Sequence, residues 1–442
     1  MPVSRRAFLK RAAATAAATP LLLPSHIWAA ETKPNSRLTM GFVGMGMQNR
    51  GLLGGFLGRD TEVLAVCDVD TTRRDDAKRR VVEHYAKQPG RSGQCAAYND
   101  FREITGRDDI DAVSIATPDH WHTVIAVAAL RGGKDVYCEK PLTHNIHESR
   151  VLLREVDANG RVLQTGSMQR SSKEFRVACA LVRNGAIGTV ERVECSFGGP
   201  PVPCDLAEEP LEPGLDWNLW LGPAAMRPYH SALSPRGIHK HYPAWRSYRE
   251  FGGGGVADWG AHHLDIAQWG LGMDDGGPVE ILPAEKPGAT QGVRFVYANG
   301  VVLEHKSGFG VDFFGTEGEV QVNRGRFTFR RGTEVIASFT GQRDTSCAAQ
   351  VQRAEQEFLK DPKVRLYESK DHLNDFLECV KTRNKPITSE QVGARSAICC
   401  HLMNQAYFHG RKLKWDPVKF AFVDGTGDPA WLTRDYRSPW TV

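Results

Sequence analysis

Between Leu38 and Asp68 the chain reads "LTMGFVGMGMQNRGLLGGFLGRDTEVLAVCD". An apolar run of strand length gives way to Gly44-x-Gly46, then to a helix-length stretch, then to a second apolar run that stops at an acid. Few folds accept that order. Strand, glycine turn, helix and a strand ending in a carboxylate form the phosphate-cradling half of a doubly wound α/β sheet. The glycines let the backbone approach a pyrophosphate at a helix N-terminus, and the acid accepts hydrogen bonds from ribose hydroxyls. Gly44, Gly46, Met47 and Asp68 are therefore the first cofactor-binding candidates. The third fingerprint position is Asn49 instead of Gly or Ala, so helix and strand should pack differently here. Asp68 would repel a 2′-phosphate, which favours NAD; Arg73 and Arg74 leave NADP open.

The alternation continues. Ala112–Ala116, "KDVYCEKP" and "RVLQTGSMQR" read as strands, with "HTVIAVAALRGG" and "HESRVLLREVDANG" as the helices between them. Strands alternating with helices imply a parallel sheet whose ligands lie at the strands' carboxyl ends. Thr117, Trp121, His122, Glu139, Lys140 and Gln169 fall on that rim and join the cofactor candidates, with Lys140 facing the chemistry. A chain of 442 residues predicts more than one domain. The expected fold class is α/β: a Rossmann sheet over 37–168, then an α/β domain over 169–442 with a large, mostly antiparallel open sheet. "YANG" and "GTEGE" supply its turn signals. The intervening loop is rich in aromatic residues and arginine, which suit a flat sugar face, so Trp245 and Arg246 are candidate substrate contacts.

The stretch "GGGGVADWGAHHLDIAQWGLG" places Asp258, His262, Asp265 and Trp269 at i, i+4, i+7 and i+11, one stripe of a helix after a glycine hinge. A core helix would carry Leu or Ile on such a stripe. The bland alternative is a structural histidine capped by an aspartate one turn away. Asp265 on the same stripe is a further candidate sugar contact. His239, His241, His262 and His263 cluster in sequence but force no ligand triad, and no metal is expected.

The formal charge of +4 misleads. Residues 1–30 hold Arg5, Arg6, Lys10 and Arg11 and no acid, so 56 − 4 basic residues face 52 acidic ones in the rest. Such a balance argues against nucleic-acid binding or a membrane role resting on charge. "SRRAFLK" followed by a weakly apolar, alanine-rich run reads as a twin-arginine signal peptide over 1–30, too short for a transmembrane span. The expected destination is periplasmic or otherwise exported, with the twin-arginine machinery as a partner and no stable membrane anchor. That route carries folded, cofactor-loaded protein. The ten cysteines show no paired or metal-type spacing.

The nucleotide turn "GFVGMGMQNRG" together with "ATPDHWH", "CEKPLT", "GGGVADWGAHHLDIAQW", "GTEGEVQV" and "CHLMNQAYFHGRKLKWDP" resembles the Gfo/Idh/MocA oxidoreductase family, in its exported twin-arginine branch. The resemblance implies a Rossmann domain followed by an α/β domain whose open sheet pairs subunits through its exposed face. It implies Lys140 of the EKP motif as a catalytic lysine, Asp258 and His262 as a catalytic dyad, and a cis Lys140–Pro141 bond. On this reading His262 takes the hydroxyl proton, Asp258 orients it through the other ring nitrogen, and Lys140 stabilises the alkoxide. The implied activity is NAD(P)-dependent oxidation or reduction of a ring hydroxyl of a sugar or glycoside, C3 being the first carbon to test. The alternative is a glycoside hydrolase that uses NAD in a redox-neutral cycle of oxidation, elimination, hydration and reduction. A third reading is a non-catalytic sugar-binding protein. Free coenzyme is scarce outside the inner membrane, so the nicotinamide should be tightly bound.

Overall fold

Strands β1 Leu38–Val43, β2 Thr61–Cys67, β3 Ala96–Tyr98, β4 Ala112–Ile115, β5 Asp135–Cys138 and β6 Leu163–Thr165 form one parallel sheet in the order β3-β2-β1-β4-β5-β6. The computed structural model describes residues 37–88, 91, 93–339 and 346–442. The expected signal peptide at 1–30 lies outside them. β3 is three half-buried residues, too short to carry a periodic signal. The strand order reverses between β1 and β4, and the crevice at their carboxyl ends is where ligands of such sheets bind.

Gly44 sits at that point with φ +80°, and a Cβ on it would meet Thr117 Cγ2 at 2.8 Å and the Ala116 carbonyl oxygen at 2.9 Å. Only glycine lets β1 turn so close to β4. Asn49 accounts for the altered fingerprint. Buried in the helix Met47–Leu57, its Nδ2 donates to the Val43 carbonyl at 3.0 Å, and its Oδ1 accepts from Ser114 Oγ at 2.9 Å. A polar tie to two strands replaces the close packing that Gly or Ala would allow.

The helix His372–Thr382, more than 200 residues from β6, returns to this sheet. Its Phe376 packs edge-on against Phe56 and Tyr137, and Leu377, Cys379 and Val380 complete the same core.

The second sheet has ten strands: β7 Val190–Ser196, β8 Glu280–Leu282, β9 Arg294–Val296, β10 Val302–Lys306, β11 Gly310–Gly315, β12 Gly318–Asn323, β13 Arg326–Arg331, β14 Glu334–Phe339, β15 Leu413–Asp416 and β16 Ala421–Phe422. Their order is β14-β13-β12-β11-β7-β10-β9-β8-β15-β16. β7 and β10 pair in parallel, and the neighbouring pairs are antiparallel, with "YANG" closing β9 to β10 and "GTEGE" closing β11 to β12. Val193, Cys195, Leu303, Val311, Phe313 and Val320 alternate inward into a core shared with the helices Lys173–Arg183, Gly260–Leu271 and Glu390–His409. Arg192, Glu194, Glu304, Lys306, Glu319 and Arg330 stand on the other face and pair with one another across it. Among the described residues no helix is long and apolar enough to cross a membrane.

Candidate active site

The nucleotide cleft opens at the carboxyl ends of β1, β2 and β4, lined by Gly44, Gly46, Met47, Asp68, Thr117 and Trp121. A Cβ on Gly46 would point into open space, so the turn leaves room for a diphosphate against the start of the helix. Asp68 ends β2 with Oδ2 accepting from Met45 N–H at 2.6 Å and Oδ1 from Asp70 N–H at 2.8 Å. Burial pushes its carboxyl upward, against the pull of Arg73 and those backbone donors. The carboxylate is thereby fixed at the place where a ribose would present its hydroxyls. Arg73 is spent elsewhere, on Ser234 Oγ at 3.2 Å and the Pro235 carbonyl, and Arg74 reaches Asn99 Oδ1 at 3.3 Å. Trp121 is buried in the wall, its Nε1 donating to the Leu219 and Trp220 carbonyls at 3.1 and 3.0 Å. Leu233, Ser234, His239, Tyr242 and Pro243 line the same cleft, and their segment is tied down by Arg50 to the His239 carbonyl, by Arg73, and by Tyr242 OH to Gln48 Oε1 at 3.2 Å.

A second, more polar cleft continues from Thr117 and is lined by His122, Glu139, Lys140, Asp258, His262 and Arg324, among others. The Lys140–Pro141 bond is cis, as the family resemblance implies. His122 fastens this turn: Nδ1 faces the Pro141 carbonyl at 2.8 Å and Nε2 the Thr117 carbonyl at 3.0 Å. Burial holds that ring at about 4, neutral at ordinary pH. Glu139 is buried beside Gly166, where a Cβ would strike its carboxyl at 2.6 Å, and its Oε1 accepts from Gln48 Nε2 at 2.8 Å. Burial raises its carboxyl, opposed by Lys140 and Gln48.

Lys140 Nζ donates to Asp258 Oδ1 at 2.6 Å and to the Asp258 backbone carbonyl at 2.7 Å. That second bond alters the helix. In an α-helix the Asp258 carbonyl would accept from His262 N–H, but here His262 N–H turns to the Trp259 carbonyl at 3.1 Å. The expected single helix is therefore two, Gly254–Asp258 and Gly260–Leu271. Burial would raise the Asp258 carboxyl, but Lys140 and then Arg246 hold it below its ordinary value.

Four expectations need correction. The Asp258–His262 pair is absent: Asp258 belongs to Lys140, and His262 Nδ1 is buried with no partner among the described residues. Burial, reinforced by Lys140 and Arg324, holds the His262 ring well below its ordinary value and hence neutral. Asp265 does not reach the cleft. Its carboxylate meets Arg170 at 2.9 and 2.8 Å and Ser396 Oγ at 2.8 Å inside the core. Gln169 does not line the cleft either; its Oε1 accepts from Arg324 Nε at 3.2 Å, and its neighbour Met168 lines the wall instead. The glycines before Asp258 form no hinge: a Cβ on Gly254 would strike Pro201 N at 2.4 Å, and one on Gly255 the Gly198 Cα at 2.5 Å. They allow two backbones to touch.

Trp245 and Arg246 do line both clefts. The residues missed from sequence are Gln48, Asp119, Tyr242 and Arg324. Gln48 and Asp119 stand inside motifs already singled out, "GMGMQ" and "ATPDHWH", and could have been found there. Arg324 lies in the hairpin turn between β12 and β13 with no local signal. Burial pushes Asp119 up to about 8, against the pull of Arg246. His239 turns to the His241 carbonyl and His263 to the Ser196 carbonyl, and among the described residues no three His, Cys, Asp or Glu side chains gather to hold a metal.

Two family models match the chain: "Oxidoreductase family, NAD-binding Rossmann fold" over residues 38–167, and "Oxidoreductase family, C-terminal alpha/beta domain" over 203–304 and 353–442. Inositol 2-dehydrogenase 1 of Mycolicibacterium vanbaalenii is 36% identical over 110 residues, 25% of this chain and 32% of that protein. A glycosyl hydrolase family 109 protein of Saccharopolyspora erythraea is 32% identical over 153 residues, 34% of this chain and 33% of that protein. The chain thus spans about a third of the length of these curated relatives. The crystal structure of aldose-aldose oxidoreductase from Caulobacter crescentus shares the fold, with TM-score 0.57 and 18% identity over 86% of this chain and all of that one.

Proposed function

This chain belongs to the Gfo/Idh/MocA oxidoreductase family, and from that premise we propose that it oxidises a ring hydroxyl of a sugar or glycoside to the ketone and catalyses the reverse reduction. The observation that carries this is the convergence of Lys140, neutral His262 and the nucleotide turn on one continuous crevice. The turn fits a dinucleotide, since Gly46 leaves space for phosphates and Asp68 waits for ribose hydroxyls; we propose NAD in preference to NADP. A bound nicotinamide supplies the hydride acceptor. His262, uncharged and unpaired, takes the hydroxyl proton. Lys140 donates a hydrogen bond to the developing alkoxide, and Asp258 holds that ammonium in position. The segment 233–243 lines the nucleotide cleft and is fastened to Arg50, Arg73 and Gln48, which supports tight retention of the nucleotide. Residues 37–168 would hold the nucleotide, and 169–442 the sugar and, through the outer face of the large sheet, a second subunit. We propose export through the twin-arginine route, supported by the sequence "SRRAFLK".

The likeness to a glycosyl hydrolase family 109 protein favours a second reading, a redox-neutral glycosidase. One experiment separates the two. Purified protein with its resident nucleotide is incubated with aryl glycosides in D2O without added coenzyme. A sugar oxidoreductase reduces its nicotinamide once and turns over only when a carbonyl acceptor is supplied, releasing no aglycone; this is the expected result. Catalytic aglycone release with deuterium at C2 would establish the glycosidase. No change in the nicotinamide spectrum with any sugar would leave a binding protein.

A further inference from the structure

The catalytic cleft holds more positive charge than proton and hydride transfer require. Lys140 is committed to Asp258, but two guanidinium groups line the same wall. Arg324 lies over the face of Trp259 at 4.8 Å, steadied by the bond from its Nε to Gln169. Among the described residues its two terminal nitrogens have no hydrogen-bond acceptor. Arg246 lies over Trp245 at 4.2 Å and Tyr242 at 4.8 Å. Its Nε is 3.7 Å from Asp258 and its Nη1 reaches the Pro243 carbonyl only at 3.4 Å, so neither contact satisfies the fork.

The acids facing the cleft do not balance these charges. Asp258 is taken by Lys140. Glu139 is buried and turned to Gln48 and to the Lys140 backbone N–H. Asp119, held up to about 8 by burial, is mostly protonated at neutral pH. A guanidinium already held over an aromatic ring loses little freedom on binding and offers two parallel N–H donors to a planar carboxylate. A neutral sugar could take single hydrogen bonds from these groups but would give the terminal nitrogens of Arg324 no charged partner.

We infer that the sugar this site receives carries a carboxylate, as a uronic acid or uronide does, and that Arg324, with Arg246 beside it, holds that carboxylate. The ring chemistry at the other end of the sugar rests on the oxidoreductase reading above; the carboxylate recognition does not. A phosphate could meet the same forks, so the 6-phosphates in the test separate it from a carboxylate.

The test uses the full protein with its resident nucleotide and pairs of methyl glycosides that differ only at C6, hexoside against hexuronide, in the gluco, galacto and manno series, with the matching 6-phosphates. Binding is read by calorimetry and redox chemistry by nicotinamide absorbance. In one series at least, the uronide should bind about 10- to 100-fold more tightly than the neutral partner, the range expected of a charge-assisted bidentate contact. Arg324→Gln should collapse that ratio by about tenfold or more, and Arg324→Lys should restore only part of it. Retained nucleotide confirms that each variant folds. Equal or tighter binding of the neutral partners in all three series, preference for the 6-phosphates, or an unchanged ratio in Arg324→Gln would each overturn the inference. Selective uronide binding without any nicotinamide reduction would defeat the redox reading alone, and reduction by neutral sugars only would defeat this one alone.

Discussion

Lys140 touches Asp258 twice, and the pairing reassigns the aspartate from orienting a base to holding an ammonium. Lys140→Ala and His262→Ala should each lower turnover by about 100-fold or more while the protein keeps its nucleotide. Near-normal rates in either variant would remove that residue from the chemistry. The two acid–base roles also separate by titration. Burial and then Lys140 disfavour protonated His262, so Lys140→Met should move the His262 titration upward, as followed by NMR of the ring protons. Asp258→Asn should move it less, because the aspartate faces the lysine and not the ring. A larger shift in Asp258→Asn would restore the aspartate–histidine pair.

At the scale of elements, the helix Gly260–Leu271 is anchored to the turn Met168–Ser171 by a buried ionic cluster. Arg170, fully buried, meets Asp265 at 2.8 Å and Asp274 at 2.7 Å while lying over Trp269 at 5.0 Å. Removing Asp265 leaves Arg170 to Asp274 alone and strips it of two buried charge-assisted hydrogen bonds, which costs about 3–5 kcal/mol. Asp265→Ala should therefore lower the unfolding free energy by about that amount in urea titrations, with little change in KM for the folded fraction. The opposite pattern, unchanged stability with a raised KM, would return Asp265 to the substrate. The glycines at 254 and 255 act at the same scale, letting the loop at Gly198–Pro201 lie directly on the start of the helix that ends at Asp258.

Across the whole molecule, burial sets the pH response. It holds His120 at about 3 and His122, His263, His305, His372 and His401 at about 4. A folded value below the unfolded one means that the unfolded chain takes up protons the folded chain refuses. Stability is therefore full above about pH 6.5 and is lost as pH falls toward 4. Asp119 acts in the opposite sense, its folded value of about 8 favouring the folded state at low pH, as do Asp68, Glu139, Asp265 and Asp312, whose carboxyls burial also raises; the histidines, with His144 and His262 also held low, outnumber them. Each proton bound only on unfolding contributes on the order of 1.4 kcal/mol per pH unit. The thermal midpoint should fall by about 5–10 °C between pH 6.5 and 5. A midpoint that holds or rises over that range would show that the buried carboxyls outweigh the histidines.

Sequence alone determined that the first sheet is parallel and doubly wound, and it marked most of the rim of its crevice. Gly44-x-Gly46, the apolar run before it and the acid at Asp68 are local constraints: glycine backbone freedom, strand-length burial and a terminal charge each act within a few residues. The family resemblance, and not local spacing, put Lys140, Asp258 and His262 in one cleft. What sequence could not supply is which ion each charge meets. The i, i+4 spacing allowed Asp258 to cap His262, yet Lys140, 118 residues earlier, took both its carboxylate and its carbonyl and broke the helix between them. Asp265 went to Arg170 across 95 residues, and Arg324 came into the cleft on a hairpin turn that has no periodic signature. Periodicity states which face of an element is buried. The partner waiting there is chosen by packing between segments far apart in the chain, where the high cost of an unpaired buried charge selects one arrangement among several that the local spacing permits.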